Sequence, residues 1–204
     1  MAANTPYAPN NLTERPKAYD MELFAAADPA EIAERTGCGL EGDTLIFTVL
    51  GRQMRMTWPD FGDEGWTDKD RILMLHYALE GKAAAPSFEF ASYAELPWGE
   101  VYDRNFRGRC IMRMLGMFGR NIDGFCRVCE ALGGRRVAGS GVIYELDFMK
   151  DLCLRFIIWE GDEEFAPSGQ ILFSKNFPDA FAAEDRVVVC EHTLGRMKAE
   201  LAKQ

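Results

Sequence analysis

The stretch between residues 142 and 173 carries the clearest pattern of apolar and polar positions in the chain. Apolar residues at alternate positions from 142 to 148 predict a strand with one buried face. The run 154–159 is apolar except at Arg155, which is typical of a central strand covered on both faces. Turn residues follow at Pro167 and Gly169, and 171–173 predict a short return strand.

The register of the first two strands follows from their apolar faces. If residues 149–151 form the connection, apolar positions of both strands fall on one face, and Glu145 falls opposite Arg155 on the other. A two-residue turn would instead place Asp147 opposite Leu154. We therefore expect the three-residue connection and an ion pair between Glu145 and Arg155, which gives Arg155 a structural partner.

Helical periodicity covers most of the remaining chain. Helices are expected at 19–27, 29–37, 68–79, 103–119, 121–132 and 183–202, and two further strands at 44–50 and 53–58. Asp28 and Thr67 have the residue type and position of N-caps. This order predicts an α+β fold in which antiparallel hairpins form a central sheet packed against several helices.

Length and charge limit the classes of protein that the chain can belong to. It has 204 residues and a formal net charge of −9. We expect a flexible segment at 1–15 and a single α+β domain at 16–204, with the small residues of 81–87 as the candidate seam between subdomains. Nucleic acid is not an expected partner, because phosphate binding needs a clustered basic surface.

Location follows from what the sequence lacks. Residues 1–9 do not have the basic and then apolar pattern of a secretory signal, and no apolar run approaches the ~20 residues that cross a bilayer. The six cysteines are expected to be thiols. We therefore expect a cytoplasmic protein that has no membrane partner.

Three consecutive carboxylates, Asp162, Glu163 and Glu164, follow the central strand. Such groups repel one another unless water, a cation or basic groups lie nearby. The loop could bind a hard cation or supply a general acid or base, or it could be a solvated connection. We take Trp159, Asp162 and Glu164 as candidate ligand-binding residues, and we expect Phe165 to hold the loop against the core.

His76 shares the apolar face of its predicted helix with Ile72, Leu75 and Leu79. An inward imidazole could be a metal ligand, an axial ligand to a tetrapyrrole or a proton carrier, or a core histidine with a carbonyl or carboxylate partner. We expect His76 and the acidic loop to form one site. His192 lies opposite the apolar stripe of the last helix and is expected to be exposed.

Arg109 and Arg113 lie one turn apart on the helix predicted at 103–119. Two guanidinium groups at this spacing could hold an anionic ligand such as a phosphate or a propionate. The alternative is a solvated basic flank, because charged runs carry little information about function.

Cys126 and Cys129 form a CxxC pair within a predicted helix. A structural zinc site needs four ligands, and a second pair at suitable spacing is missing from the sequence. The strand–helix context of a redox motif is missing as well. We expect these cysteines to pack in the core without a metal.

A family resemblance rests on the WEGDEEF motif at 159–165, the ILF strand at 171–173, His76 with Tyr77, and the terminal amphipathic helix. Together they resemble the bacterial and archaeal family known as domain of unknown function 3786, over roughly residues 15–197. Many relatives come from anaerobes, and some adjoin a four-cysteine iron–sulfur segment similar to that of corrinoid iron–sulfur proteins, which this chain lacks. Ser174 stands where relatives often have an Asp.

Three functional hypotheses follow. The first, which we favour, is a domain that binds a small molecule or cofactor between the central hairpin and the helix of His76. The inward histidine makes a tetrapyrrole a candidate, the resemblance a corrinoid, and the acidic loop a divalent cation. The second is a metal-assisted or acid–base enzyme in which His76 acts with Glu163 or Glu164. The third is an interaction protein whose acidic surface binds an iron–sulfur redox partner.

Overall fold

The computed structural model describes residues 18–62 and 67–203. The expected flexible segment at 1–15 lies outside these residues. The helices are α1 (Ala18–Ala26), α2 (Pro29–Thr36), α3 (Asp68–Glu80), α4 (Gly99–Phe106), α5 (Met112–Phe118), α6 (Ile122–Ala131), α7 (Phe177–Ala180) and α8 (Ala183–Leu201). The strands are β1 (Gly39–Glu41), β2 (Thr44–Val49), β3 (Arg52–Thr57), β4 (Phe90–Ser92), β5 (Arg135–Val137), β6 (Val142–Met149), β7 (Leu152–Trp159) and β8 (Ser168–Ser174).

Two antiparallel sheets confirm the α+β class. One has the order β1-β2-β3, and the other has the order β4-β8-β7-β6-β5, with the strand of Arg155 at its centre. Three of the strands, β1, β4 and β5, were not expected from the sequence. Each has three residues, which is too short to show a period of two.

The register expected for the central hairpin is confirmed. Tyr144 lies opposite Phe156, and Glu145 lies opposite Arg155. Arg155 donates from Nε and Nη2 to Glu145 Oε1 at 3.0 and 2.5 Å. Its guanidinium carbon also lies 3.8 Å from the ring centre of Phe90 on the edge strand β4, so Arg155 contacts the neighbouring strand β6 and, across β8, the edge strand β4.

The connection between these strands differs from the expectation. Met149 pairs directly with Leu152, so the turn has two residues rather than three. A bulge between Asp147 and Met149 takes up the extra residue. Asp151 adopts a left-handed conformation with φ +62°, which aspartate tolerates better than most residues. The bulge therefore keeps the apolar faces in register across the shorter turn.

Helices cover the inner face of the larger sheet. α6 contacts β6, and α5 contacts β8. The last helix, α8, touches α3, α4, α5 and α6, and its six residues from 185 to 190 are all buried. Among the described residues, no helix combines the length and the apolar character needed to cross a membrane.

The N-terminus of α8 is held by a buried arginine. Arg186 is 2% exposed. Its guanidinium donates to Phe181 O at 3.1 Å and to Pro97 O. The hydroxyl of Tyr93 donates to Ala183 O at 2.8 Å. These bonds join the first turn of α8 to the corner that precedes α4, and they fix the direction in which neighbouring side chains of that turn leave the helix.

The corner before α4 depends on a glycine. Trp98 has φ +62°, a left-handed conformation that costs free energy for a bulky residue. At Gly99, a Cβ atom would lie 1.7 Å from the carbonyl oxygen of Tyr93. From this corner α4 continues into α5 through a π-helical turn at Arg107–Ile111, so the helix expected at 103–119 begins four residues earlier than predicted.

Gly99→Ala should destabilise the protein by about 3 kcal/mol, because backbone must move to accept the new methyl group. Gly116→Ala is the matched control: Gly116 lies in α5, and among the described residues nothing lies within 4 Å of its added Cβ. The control should raise stability by up to about 1 kcal/mol. Chemical denaturation measures both, and equal effects of the two substitutions would contradict this account of the corner.

Candidate functional site

The site is built on α3, which begins at a capping box. Thr67 Oγ1 accepts from the amide of Asp70 at 3.2 Å, and Asp70 Oδ2 accepts from the amide of Thr67 at 3.1 Å. The expected cap at Thr67 is thus confirmed. The reciprocal bonds leave Asp70 Oδ1 free to face α8.

Two carboxylate–imidazole pairs join α3 to α8. His76 Nδ1 lies 2.8 Å from Asp185 Oδ1. His192 Nδ1 lies 2.5 Å from Asp70 Oδ1. These are the two histidines of the chain, and each helix supplies one histidine and one aspartate. The two helices therefore run in opposite directions, with one polar pair at each end of their contact.

The pKa of His76 is raised above its usual 6.5. The hydrogen bond that the imidazole donates to Asp185 is the main cause of this rise. Burial acts against it, and the charges of Asp185, Asp20 and Glu80 add to it. Because Nδ1 is bonded to Asp185, Nε2 is the ring nitrogen that can meet a ligand. Within the described residues no hydrogen bond to Nε2 is present.

The expectation that His192 is exposed was wrong. Its side chain is 15% exposed, and its ring meets Phe148 edge to face with the centres 6.0 Å apart. Burial alone would raise the pKa of Asp70, but the bond and charge of His192, together with Thr67, lower it. An apolar stripe identifies one buried face of a helix, and α8 is buried on further faces by α3 and α4.

A cavity of about 550 Å³ adjoins His76 between α1, α3 and the start of α8. Its acidic lining consists of Asp20, Glu80, Glu184 and Asp185. Its apolar and aromatic lining consists of Tyr19, Leu23, Ile72 and Leu79. One imidazole surrounded by carboxylates favours a positively charged group in the cavity.

The acidic loop lies elsewhere. Asp162 Oδ1 accepts from the amides of Glu164 and Phe165 at 2.9 and 2.7 Å, so this carboxylate closes its own loop. Glu163 and Glu164 are exposed, and the residues that line the His76 cavity do not include the loop. The structure gives His76 a different carboxylate, Asp185, and does not bring the expected single site together.

The expectation for Phe165 in the loop region was wrong. Phe165 does not hold the loop against the core, because its side chain is 69% exposed. Trp159, a candidate ligand-binding residue, donates from Nε1 to Ser140 Oγ at 3.0 Å. Ser174 is buried, and its Oγ accepts from the amide of Cys153 at 3.0 Å, which gives it a structural role between β8 and β7.

The two candidate anion-binding arginines have different surroundings. Arg109 donates from Nε and Nη2 to the two carboxylate oxygens of Glu191, both at 2.9 Å, and Lys69 Nζ lies 3.2 Å from the same carboxylate. Arg113 is half-buried, with its guanidinium near Gly195 of α8. Arg109 is therefore already paired with a carboxylate of the protein. The same carboxylate, on α8, also pairs with Lys69 of α3.

The CxxC cysteines lie on α6 against the sheet. Cys129 is fully buried, and burial raises the pKa of its thiol. Cys126 is half-buried. Within residues 18–62 and 67–203, no three His, Cys, Asp or Glu side chains are grouped so that they could hold a metal ion.

Sequence reasoning found His76 but missed its partners. Asp20, Glu80, Glu184 and Asp185 come from three helices that are distant in sequence, so no local spacing connects them. One local signal exists: Glu184 and Asp185 stand in the first turn of α8, where carboxylates are favoured by the helix dipole and are easily read as structural.

Replacing Asp185 with Asn should lower the pKa of His76, which an NMR titration of the imidazole signals measures. His192→Gln removes the other set of ring signals and so assigns them. The folded-state pKa of His76 lies above the unfolded value of 6.5, so the charged pair stabilises the fold fully below that pH. This contribution is lost as pH rises through the folded-state pKa.

Asp185→Asn should therefore reduce the free energy of unfolding by about 1 kcal/mol near pH 6 and by less near pH 9. Glu184→Gln is the control, because Glu184 stands in the same helical turn without bonding an imidazole. An equal loss for Asp185→Asn at both pH values would show that the pair contributes no charge-dependent stability.

Comparison with known families assigns the chain. Residues 28–196 match the family model described as Domain of unknown function (DUF3786), which spans α2 to α8 and includes both carboxylate–imidazole pairs. Searches of curated proteins and of solved structures find no match. The expected family resemblance is confirmed, and the chain belongs to the DUF3786 family.

Proposed function

We propose that the protein binds a small molecule in the cavity beside His76. The observation that carries the proposal is a cavity of about 550 Å³ in which an imidazole, already bonded to Asp185, adjoins apolar and acidic walls. Volumes of about 300–1,000 Å³ with a few polar groups on apolar walls are typical of ligand sites. The sequence placed the site between the central hairpin and the helix of His76, whereas this cavity lies between that helix, α1 and the start of α8.

The charge of the cavity defines the class of ligand. Asp20, Glu80 and Glu184 line it together with the pair of His76 and Asp185. A haem-type tetrapyrrole carries anionic propionates, which these carboxylates would repel. An organic cation with an apolar body, such as an alkylamine or a guanidine, matches both the carboxylates and the leucine and isoleucine side chains. A cytoplasmic location, a corrinoid link and an iron–sulfur redox partner stay predictions of the sequence.

The second candidate function is acid–base catalysis by His76. A carboxylate bonded to Nδ1 fixes the imidazole tautomer and orientation and leaves Nε2 to exchange a proton with a substrate. Here Asp185 supplies that carboxylate at 2.8 Å, in the role that we had expected of Glu163 or Glu164. If the substrate is an amine, the same acidic walls would hold it next to Nε2.

Binding is tested by thermal unfolding with spermidine, putrescine and agmatine as probes and with 1,4-butanediol and succinate as uncharged and anionic controls. A ligand at 100 times its dissociation constant stabilises a protein by about 2.7 kcal/mol. We therefore expect at least one amine to raise the melting temperature by several degrees, and neither control to do so.

The location of the site is tested with matched variants. The double substitution Glu80→Gln with Glu184→Gln should weaken amine binding by tenfold or more, since a shift of about 1.4 kcal/mol is tenfold in affinity. Glu163→Gln, in the exposed acidic loop, should leave binding unchanged. Binding that is lost in Glu163→Gln and kept in the double variant would place the site at the loop and contradict the proposal.

Catalysis is tested with p-nitrophenyl acetate, a substrate that responds to a reactive imidazole. Its hydrolysis should rise with pH through the pKa of His76, because the base is the neutral ring. His76→Gln should remove this pH-dependent rate, and His192→Gln should retain it. An unchanged rate in His76→Gln would exclude Nε2 as the reacting group.

A further inference from the structure

His76 is the residue of the cavity wall whose charge changes near neutral pH. The chain has two histidines, and of these His76 lines the cavity while His192 does not. Histidine is the side chain that titrates between about pH 5 and pH 8. The side chain of His76 is 25% exposed, so its ring can exchange a proton with solvent.

The proton that titrates belongs to Nε2. Nδ1 lies 2.8 Å from Asp185 Oδ1, and a carboxylate accepts hydrogen bonds, so Nδ1 keeps its hydrogen in both charge states of the ring. A protonated Nε2 offers a ligand an N–H group and a positive charge. A deprotonated Nε2 offers a lone pair that accepts a hydrogen bond.

Acidic groups line the cavity on each of its three helices. They are accompanied by one phenol, and the complete polar lining around the imidazole is Tyr19 and Asp20 of α1, Glu80 of α3, and Glu184 and Asp185 of α8. The charges of Asp20, Glu80 and Asp185 all raise the pKa of His76. These carboxylates therefore lie close enough to act on the ring from all three helices.

Cationic side chains on neighbouring segments make their contacts outside the cavity. Arg35 of α2 donates to carbonyl oxygens at the C-terminal end of α3. Arg186 of α8 donates to carbonyl oxygens of the segments before α4 and before α8, and Lys82 Nζ lies 3.3 Å from Asp179. Among the described residues no lysine or arginine lines the cavity, so the imidazolium of His76 is the positive charge of its wall.

We propose that the cavity exchanges a proton for its ligand, so that an organic cation binds as the Nε2 proton of His76 leaves. This inference rests on the proposed function, because it concerns the same cavity and the same class of ligand. The ammonium or guanidinium group of the ligand takes the place of the imidazolium charge among the carboxylates. It donates a hydrogen bond to the Nε2 lone pair, and one proton passes to solvent.

The physical reason for the exchange is repulsion between like charges. A bound cation beside a protonated ring would place two positive charges in one site, which costs free energy. At low pH the imidazolium therefore competes with the ligand for the carboxylates, and at higher pH the wall carries its full negative charge. Asp185 is a positioning residue in this exchange, because its bond to Nδ1 holds the ring in both charge states.

The pH dependence of binding tests the exchange. The amine probes agmatine, putrescine and spermidine each keep at least one charged nitrogen up to about pH 9, since alkylammonium and guanidinium groups have pKa values of about 10 or more. An amine that binds should do so about tenfold more tightly near pH 9 than near pH 6, a coupling of ordinary size. Isothermal titration calorimetry measures this ratio.

Proton release is measured directly in the same experiment. Phosphate, HEPES and Tris buffers take up a proton with different heats, so the heat of amine binding near neutral pH should differ between them. The difference gives the number of protons released, which should lie between zero and one. His76→Gln should bind the amine without proton release and without pH dependence, because an amide can bond to Asp185 but does not titrate. His192→Gln is the matched control and should retain both effects.

An NMR titration of the wild-type imidazole signals repeats the test without any substitution. A saturating amine should lower the pKa of His76, because linkage between two ligands of one site is reciprocal. The size of this fall should equal the logarithm of the ratio between the amine affinities at the two ends of the pH range. The signals of His192 should not respond to the amine.

Three results would count against the exchange, and they differ in what they leave standing. Amine binding of equal affinity from pH 6 to pH 9, with the same heat in all three buffers, would overturn the exchange and leave the proposed binding site intact. Tighter binding at the acidic end would overturn it as well, since the imidazolium would then hold the ligand. If none of the three amines binds at any pH, the proposed function fails, and the exchange fails with it.

Discussion

The constraint that organises the structure is the need of a buried helix to give each polar side chain a partner. In α8, six consecutive residues are buried, among them Asp185 and Arg186. Arg186 donates from its two terminal nitrogens to the carbonyl groups of Phe181 and of Pro97, before α4, although its Nε makes no hydrogen bond to the described residues. Asp185 pairs with His76 of α3. These partners lie on different segments of the chain. Burying the first turn of α8 therefore requires α3 and the segment before α4 to pack at defined positions around it.

The candidate site is a consequence of this arrangement. Asp185 lies in the first turn of α8, next to Arg186, whose hydrogen bonds hold that turn in place. Its carboxylate bonds His76 at the edge of the cavity. At the other end of the contact, His192 and Asp70 repeat the pairing with the roles of the helices exchanged. One pair adjoins a cavity with acidic walls, whereas the other lies against the ring of Phe148.

In the larger sheet, the local pattern of apolar and polar residues predicted the pairing of strands but not the length of the turn. The alternation along β6 and the apolar run of β7 placed Glu145 opposite Arg155 correctly, because a shift of one residue would have moved every apolar side chain to solvent. The same pattern gave the wrong turn length, since a bulge before Met149 preserves the register with one residue fewer in the connection. Periodicity constrains which faces are buried, but it does not constrain how a backbone irregularity is distributed between strand and turn.

The sequence by itself determined the α+β class, the caps at Asp28 and Thr67 and the residues that face each other in the central hairpin, because each depends on residues close together in the chain. Only the tertiary structure decided that Asp185, rather than the acidic loop, is the partner of His76, and that His192 is covered. These outcomes depend on which faces of α3 and α8 meet, and the free energy of that contact comes from many side chains distant in sequence. An apolar stripe on a helix predicts that one face is buried, but it does not identify the helix that covers this face.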